Sequence, residues 1–194
     1  KNFGPEHLET FFSLNNLALL YYYQGKYSKA EPLYLQALSI KEKNFGPEHI
    51  HVGLVLVNLA NLYRTKGQYN KAEPLYLRAL SIIEKDSGKD HPNTALLVQS
   101  LARLYSDQGL YNKAEPLYLR ALSINEKTFG QDHLDTSPIV NNLALLYRNQ
   151  GLYSKAEPLY LRALSIVKKS LEPNHPDVAV SVNNLANLYY SQGL

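Results

Sequence analysis

The chain has 194 residues, is 45% apolar and 19% charged, and carries a net charge of +3. That balance suits a folded soluble protein rather than a disordered one. The small charge, with Lys and Arg interleaved with Glu, speaks against the clustered basic face of a nucleic-acid binder. There is no Cys, hence no disulfide framework and no thiolate metal site. No apolar run approaches the ~20 residues that span a membrane, and there is no signal-peptide pattern. The chain contains no Met, opens on KNFGPEH and stops at SQGL. We expect a segment of a longer, cytoplasmic protein.

One stretch organises everything else. Lys71–Ile82 reads KAEPLYLRALSI, and it returns unchanged at Lys113–Ile124 and Lys155–Ile166. Lys29–Ile40 differs only in Gln36. Glu31, Glu73, Glu115 and Glu157 are thus 42 residues apart each time. A period of that size marks a stacked repeat protein, in which each unit buries its apolar face against its neighbours. The expected boundaries are residues 7–48, 49–90, 91–132 and 133–174, with a half repeat at 175–194, all in one array.

Each repeat reads as two helices. In the second copy the first helix is predicted from about Ile50 to Lys66. Leu56, Leu59, Ala60 and Tyr63 keep the i, i+3, i+4, i+7 spacing of one face. Val98, Leu101, Ala102 and Tyr105 follow in the third copy, and Val140, Leu143, Ala144 and Tyr147 in the fourth. Gly25, Gly67, Gly109, Gly151 and Gly193 stand where a left-handed stop is expected. The second helix is predicted to open on a capping box, with Ser28, Asn70, Asn112 or Ser154 three residues before a glutamate. Pro74 then falls in the first turn or just beyond. Ala72, Leu75, Tyr76, Ala79, Leu80 and Ile83 form the apolar face, which Leu77 and Ile82 widen. The Gly-, Pro-, Asp- and Asn-rich junctions at 44–49, 86–91, 128–133 and 170–175 are turns. The tally is four helix pairs and a fifth first helix.

Metal chemistry is not expected. His7, His49, His91, His133 and His175 recur once per junction. Packed repeats separate them by about 10–20 Å, whereas zinc needs its ligands within ~2.3 Å of one point. They read as residues that cap or orient a turn, and Glu6 and Glu9 as residues suited to a helix start. No phosphate loop, nucleophile elbow or His-Glu-x-x-His motif occurs, so no enzyme and no cofactor are expected.

The polar stripe of the first helices is more informative. It comprises Asn15, Asn16 and Leu19, then Asn58, Asn61 and Arg64, then Gln99, Ser100, Arg103 and Ser106. Asn141, Asn142, Leu145, Arg148 and Asn149 follow, and then Asn183, Asn184 and Asn187. Nine of these asparagines, setting Asn149 aside, cost on the order of 5 kcal/mol of helix propensity. Something should offset that. One reading is an inter-repeat ladder of amide bonds. The other is a polar groove whose amides, each with one acceptor and two donors, match a bound peptide backbone. The two can coexist.

The succession of Leu, Ala, Tyr, then Gly, Tyr, Ala, Tyr, Ala resembles the tetratricopeptide repeat. With its 42-residue period, NNLALLY, AEPLYLRAL and Gly-Pro-Glu-His junctions, it is similar to the repeat of kinesin light chains and their bacterial relatives. The resemblance implies an all-α, right-handed superhelix of antiparallel helix pairs, whose first helices line a concave, peptide-binding surface. It implies that Asn16, Asn58, Asn142 and Asn184 contact an extended peptide, of the acidic kind with an aromatic anchor; Ser100 departs from the pattern. Arg64, Arg103 and Arg148 would make the groove mildly basic, with Asp107 opposing. The two-carboxylate clamp of chaperone-binding arrays needs lysines where this chain has Asn15, Val57 and Gln99. Five first helices about 10 Å apart would span about 40 Å, enough for roughly twelve extended residues.

The expected function is therefore a non-catalytic protein-interaction scaffold with a protein or peptide partner, and neither nucleic acid nor membrane. The alternatives are a structural spacer or self-assembly module, and the sensor region of a larger bacterial signalling protein. Leu185, Ala186 and Tyr189, which no second helix in this sequence covers, suggest self-association through an array end.

Overall fold

The computed structural model describes residues 8–193, with side chains from residue 11 onward. Glu6, His7 and the Glu9 carboxylate, among the residues read above, lie outside that range. The chain divides into two compact units, residues 1–89 and 90–194. The first holds α1 (Leu8–Tyr23), α2 (Tyr27–Phe45), α3 (Ile50–Thr65) and α4 (Tyr69–Ser87). The second holds α5 (Pro92–Asp107), α6 (Tyr111–Phe129), a 3-10 turn (Leu134–Thr136), α7 (Ser137–Asn149), α8 (Tyr153–Ser170) and α9 (Pro176–Ser191). The fold class is the all-α helix-pair solenoid, with no strand among the described residues. Within each unit every helix packs on the next: α1 on α2, α2 on α3 and α3 on α4, and likewise from α5 through α9.

The predicted first-helix faces are the core. Leu56, Leu59, Ala60 and Tyr63 are buried, as are their counterparts in α5 and α7. Ala72, Tyr76 and Ala79 are fully buried, so helices approach closely at alanine and tyrosines fill the space beside them. Gly53 serves the same closeness: a Cβ there would stand 3.2 Å from Ile82. Leu77 departs from expectation. It is 46% exposed and does not join the core, and Leu35, Leu119 and Leu161 repeat this.

The capping box does not form. The helices begin one residue before it, at Tyr27, Tyr69, Tyr111 and Tyr153, with no side-chain cap. The physical reason is the short connection. Gly67, at φ +69°, closes the preceding helix through Gln68 N–H donating to Tyr63 O (2.8 Å). The Gln68 carbonyl at once accepts from Lys71 and Ala72. Asn70 is therefore already helical, and Pro74 lies inside α4, where it forfeits one hydrogen bond. Glu31, freed from capping, accepts from the next repeat instead: Tyr63 Oη donates to it at 3.0 Å, and Lys66 pairs with it.

This accounts for the constancy of the twelve-residue segment. Tyr147 and Tyr189 donate to Glu115 (2.7 Å) and Glu157 (3.0 Å) in the same way. Lys71 and Lys155 lie over the Tyr63 and Tyr147 rings at 5.1 Å. Arg78 pairs with Glu42 and donates to the Pro47 carbonyl; Arg162 does the same with Glu126 and Gln131. Within the segment the glutamate thus reaches the following repeat, the arginine the preceding one, and the lysine the tyrosine of its own repeat.

The histidines cap the first helices. Nδ1 of His49, His91, His133 and His175 accepts the N–H two residues ahead at 3.1–3.2 Å. His49 and His133 also pack on Phe45 and Phe129. Pro138 shifts the start of α7 to Ser137, behind the 3-10 turn.

Two tyrosines make a natural comparison. Tyr76 Oη donates to Asn61 at 2.6 Å, whereas Tyr160, where Leu145 replaces that asparagine, buries its hydroxyl with no hydrogen-bond partner among the described residues. Tyr76→Phe should lower stability by about 1 kcal/mol, while Tyr160→Phe should leave it unchanged or raise it. Thermal unfolding of the two variants checks this; equal losses would contradict it.

Candidate functional site

The stripe of polar side chains is built from first helices in each unit separately. In the first unit, Asn58 Nδ2 donates to Asn15 Oδ1 at 3.3 Å, which ties α3 to α1. Asn61 is engaged by Tyr76, and Tyr22 Oη meets Thr65 Oγ1 at 3.0 Å. Asn16 is exposed; Leu19 and Arg64 are half-buried. In the second unit, Asn184 Nδ2 donates to Asn141 Oδ1 at 2.9 Å, tying α9 to α7. Gln99 and Ser100 are half-buried, and the Ser100 hydroxyl turns back onto the Leu96 carbonyl. Arg103, Asn183 and Asn187 are exposed, and Arg148 is half-buried.

The stripe therefore splits into two kinds of residue. Asn15, Asn58, Asn141 and Asn184 spend one amide contact each on a neighbouring first helix, which offsets part of their helix-propensity cost. Each pair still leaves a carbonyl lone pair and amide protons unspent. Asn142 is different: with Arg103, Ser106, Leu145, Asn149 and the buried Tyr118 it lines a cavity of about 540 Å³ between α5 and α7. Asp107 stands at the same cavity and offsets the Arg103 charge.

A second row escaped the polar reading. One turn before Asn16, Asn58, Ser100 and Asn184 stand Phe12, Leu54, Leu96 and Val180, between 52% and 61% exposed. Their i−4 spacing from the stripe was the available signal. It was hidden because apolar residues at helical spacing are ordinarily assigned to the core. Each unit thus presents amides beside exposed apolar side chains on the same helices.

Electrostatics concentrate where repeats meet. The Lys66 hydrogen bond, against the effect of burial and with help from the Tyr63 hydroxyl, holds the Glu31 carboxyl below its ordinary range. Burial first, and Glu31 second, push the Tyr63 hydroxyl up to about 12, and Tyr147 repeats this beside Glu115. Among the described residues no group of three metal-ligating side chains converges. No helix there is long and apolar enough to cross a membrane.

Fold and stripe together define a class, that of helix-pair repeat scaffolds of the general protein–protein interaction type, without a catalytic motif. The tetratricopeptide repeat model matches residues 51–127, 95–166 and 135–194, and a second model of the same description matches residues 13–51. The chain belongs to the tetratricopeptide repeat family. It is similar to solved structures of a putative kinesin light chain from Podospora anserina with nearly identical repeats. One has TM-score 0.78 and 27% identity over 98% of this chain and 89% of that one. A point variant of the same protein has TM-score 0.80 and 27% identity, over 100% and 90%. It is also similar to BtubC (BKLC) from P. vanneervenii, with TM-score 0.78 and 26% identity over 93% of this chain and 72% of that one. No curated protein sequence matches it.

The division of the stripe can be measured. Asn58→Ala loses the bond to Asn15 while Asn142→Ala loses none, so the second variant should be the more stable by about 1 kcal/mol; equal melting temperatures would argue against the split. The Glu31–Tyr63 contact has an acid and an alkaline limb. Its carboxylate contribution is present above the ordinary carboxylate pKa and lost as pH falls through the depressed folded value. Its tyrosine contribution is present below the ordinary pKa of 10.0 and lost as pH rises towards about 12. Glu31→Gln should therefore bring Tyr63 ionisation down, measured by tyrosinate absorbance, and flatten the acid limb of a pH–stability curve.

Proposed function

We propose that the chain binds an extended segment of a partner protein against the first helices of its repeats. Within each unit the amides take the backbone, and apolar side chains lie against Phe12 and Leu54 in the first unit or Leu96 and Val180 in the second. The observation that carries the reading is the cavity shared by Arg103 on α5 and Asn142 on α7, in which a guanidinium and an amide stand together beside solvent. The resemblance to kinesin light chains puts an acidic segment with an aromatic anchor first among partners. Arg103 and Arg148 supply charge-assisted bonds for it, each worth roughly 1.5–3 kcal/mol before the ligand is ordered. Ordering an extended ligand leaves a net affinity near micromolar, about −8 kcal/mol.

The test is fluorescence anisotropy with a labelled twelve-residue peptide rich in Glu and Asp around one Trp. We expect saturable binding, loss of roughly tenfold or more in the Asn142→Ala, Arg103→Ala double variant, and stronger salt sensitivity for Arg103 than for Asn142. Equal binding of a Lys-rich counterpart, or binding unchanged in the double variant, would overturn the proposal.

A second reading is favoured by the Asn15–Asn58 and Asn141–Asn184 bonds. On it the stripe is an inter-repeat ladder and the array a spacer. It requires the asparagine variants to lower the melting temperature with no saturable partner at either unit.

A further inference from the structure

One position in the second helices holds Lys41, Ile83, Asn125 and Val167 in successive repeats. Ile83 and Val167 are buried apolar side chains, and Asn125 answers its burial by donating to the Asp135 carbonyl at 3.0 Å. Lys41 places a cation there. It is 4% exposed, and its ammonium makes no hydrogen bond or ion pair among the described residues. Its neighbours are aromatic: Nζ lies 3.9 Å from the centre of the Phe11 ring, 4.9 Å from Phe45 and 5.3 Å from Phe12. Phe11 is itself the exception at a position that is Gly53, Ala95, Ser137 and Ala179 elsewhere. The large ring and the buried lysine thus arrive together in one repeat.

Ring faces stabilise a cation but accept no conventional hydrogen bond, so among the described residues the three N–H donors of Lys41 meet no conventional acceptor. Lys41 also lines a cavity of about 510 Å³ between α1 and α3, with Phe12, Leu54, His51, Asn16 and Asn58 around it. His51 adds no second cation beside Lys41: burial first, then Lys41 and His49, lower its proton affinity, with Asp86 acting the other way. The corresponding cavity of the second unit, about 400 Å³ between α7 and α9, has Val167 in place of the lysine, with Asp135 and Asp177 in its lining. The same architectural slot is therefore cationic in one unit and acidic in the other.

We propose that the α1–α3 cavity is a binding site for a single carboxylate carried on an apolar body. The carboxylate accepts from Lys41 Nζ, and the apolar body lies against Phe12 and Leu54. A lone ammonium without a guanidinium suits a monoanion better than a phosphate, which is ordinarily met by several donors at once. Phe12 and Leu54 serve in both readings, but the inference is separable from the peptide reading, because its probe is not a peptide and Lys41 lies in the other unit from Arg103 and Asn142.

The experiment uses the full chain with 3-phenylpropionate as probe, its amide as the neutral control and inorganic phosphate as the competing anion. Side-chain NMR signals of Lys41 and the Leu54 methyl groups report occupancy. We expect saturable shifts with the carboxylate, at least roughly tenfold weaker binding of the amide, and none by phosphate at the same concentration. Lys41→Ile installs the residue found one repeat later, so it should fold with an undiminished melting temperature and lose binding; Lys41→Arg should keep it. Equal affinity of the amide, tighter binding of phosphate, or no saturable shift at Lys41 in the unaltered chain would each overturn the proposal. The last readout stands even if the variant failed to fold.

Discussion

The contact between a first-helix tyrosine and the glutamate of the preceding second helix sets the geometry on which the rest depends. Tyr63 on Glu31, Tyr147 on Glu115 and Tyr189 on Glu157 span 32 residues each time, at 2.7–3.0 Å. A solenoid has no central core to hold its units in register, so register comes from contacts between neighbours. Burial of apolar faces supplies most of the attraction but has little direction. A hydroxyl donating to a carboxylate is directional, and it is reinforced by the lysine over the tyrosine ring and by the arginine on the preceding junction. These groups all belong to, or meet, the segment whose sequence hardly varies.

Against that constant frame, function is written in the positions that vary. The frame brings first helices side by side, and side chains on their free faces carry little of the packing, although some asparagines there tie one first helix to the next. Amides, guanidinium groups and exposed leucines accumulate there. The position of Lys41 shows how far this variation reaches: the same buried slot tolerates isoleucine, valine, a hydrogen-bonded asparagine and a caged lysine. Only the last two are polar, and among the described residues only the asparagine finds a hydrogen-bond partner.

The asparagines show why scaffold and binding roles are hard to separate in a repeat protein. An amide that links two helices through one donor and one acceptor keeps capacity for a third group. Asn58 and Asn184 can hold neighbouring helices and still face a ligand, whereas Asn142 lines its cavity without such a tie. Neighbouring structures at 26–27% identity share the fold, and the coarse function follows from that fold. The identity of a partner depends on the free-face residues, where repeats diverge most.

Much of the fold was legible in the sequence. The 42-residue period, the helical spacing of Leu56, Leu59, Ala60 and Tyr63, and the glycine stops located helices nearly to the residue, because these are local properties of the chain. The histidine caps were legible for the same reason. What stayed hidden depended on contacts between residues far apart in sequence. Glu31 looked like a cap because its nearest donors in sequence are its own backbone; its actual partner, Tyr63, is one repeat away. Leu77 looked like core because periodicity counts apolar residues and not what covers them. Nothing local along the chain marks Lys41 as buried, and only the packing of α1 against α2 places it beneath Phe11. The order of residues along the chain sets where the helices run and that they stack. Packing in three dimensions selects which polar groups are consumed by stacking and which remain for a ligand, because that choice depends on distance in space.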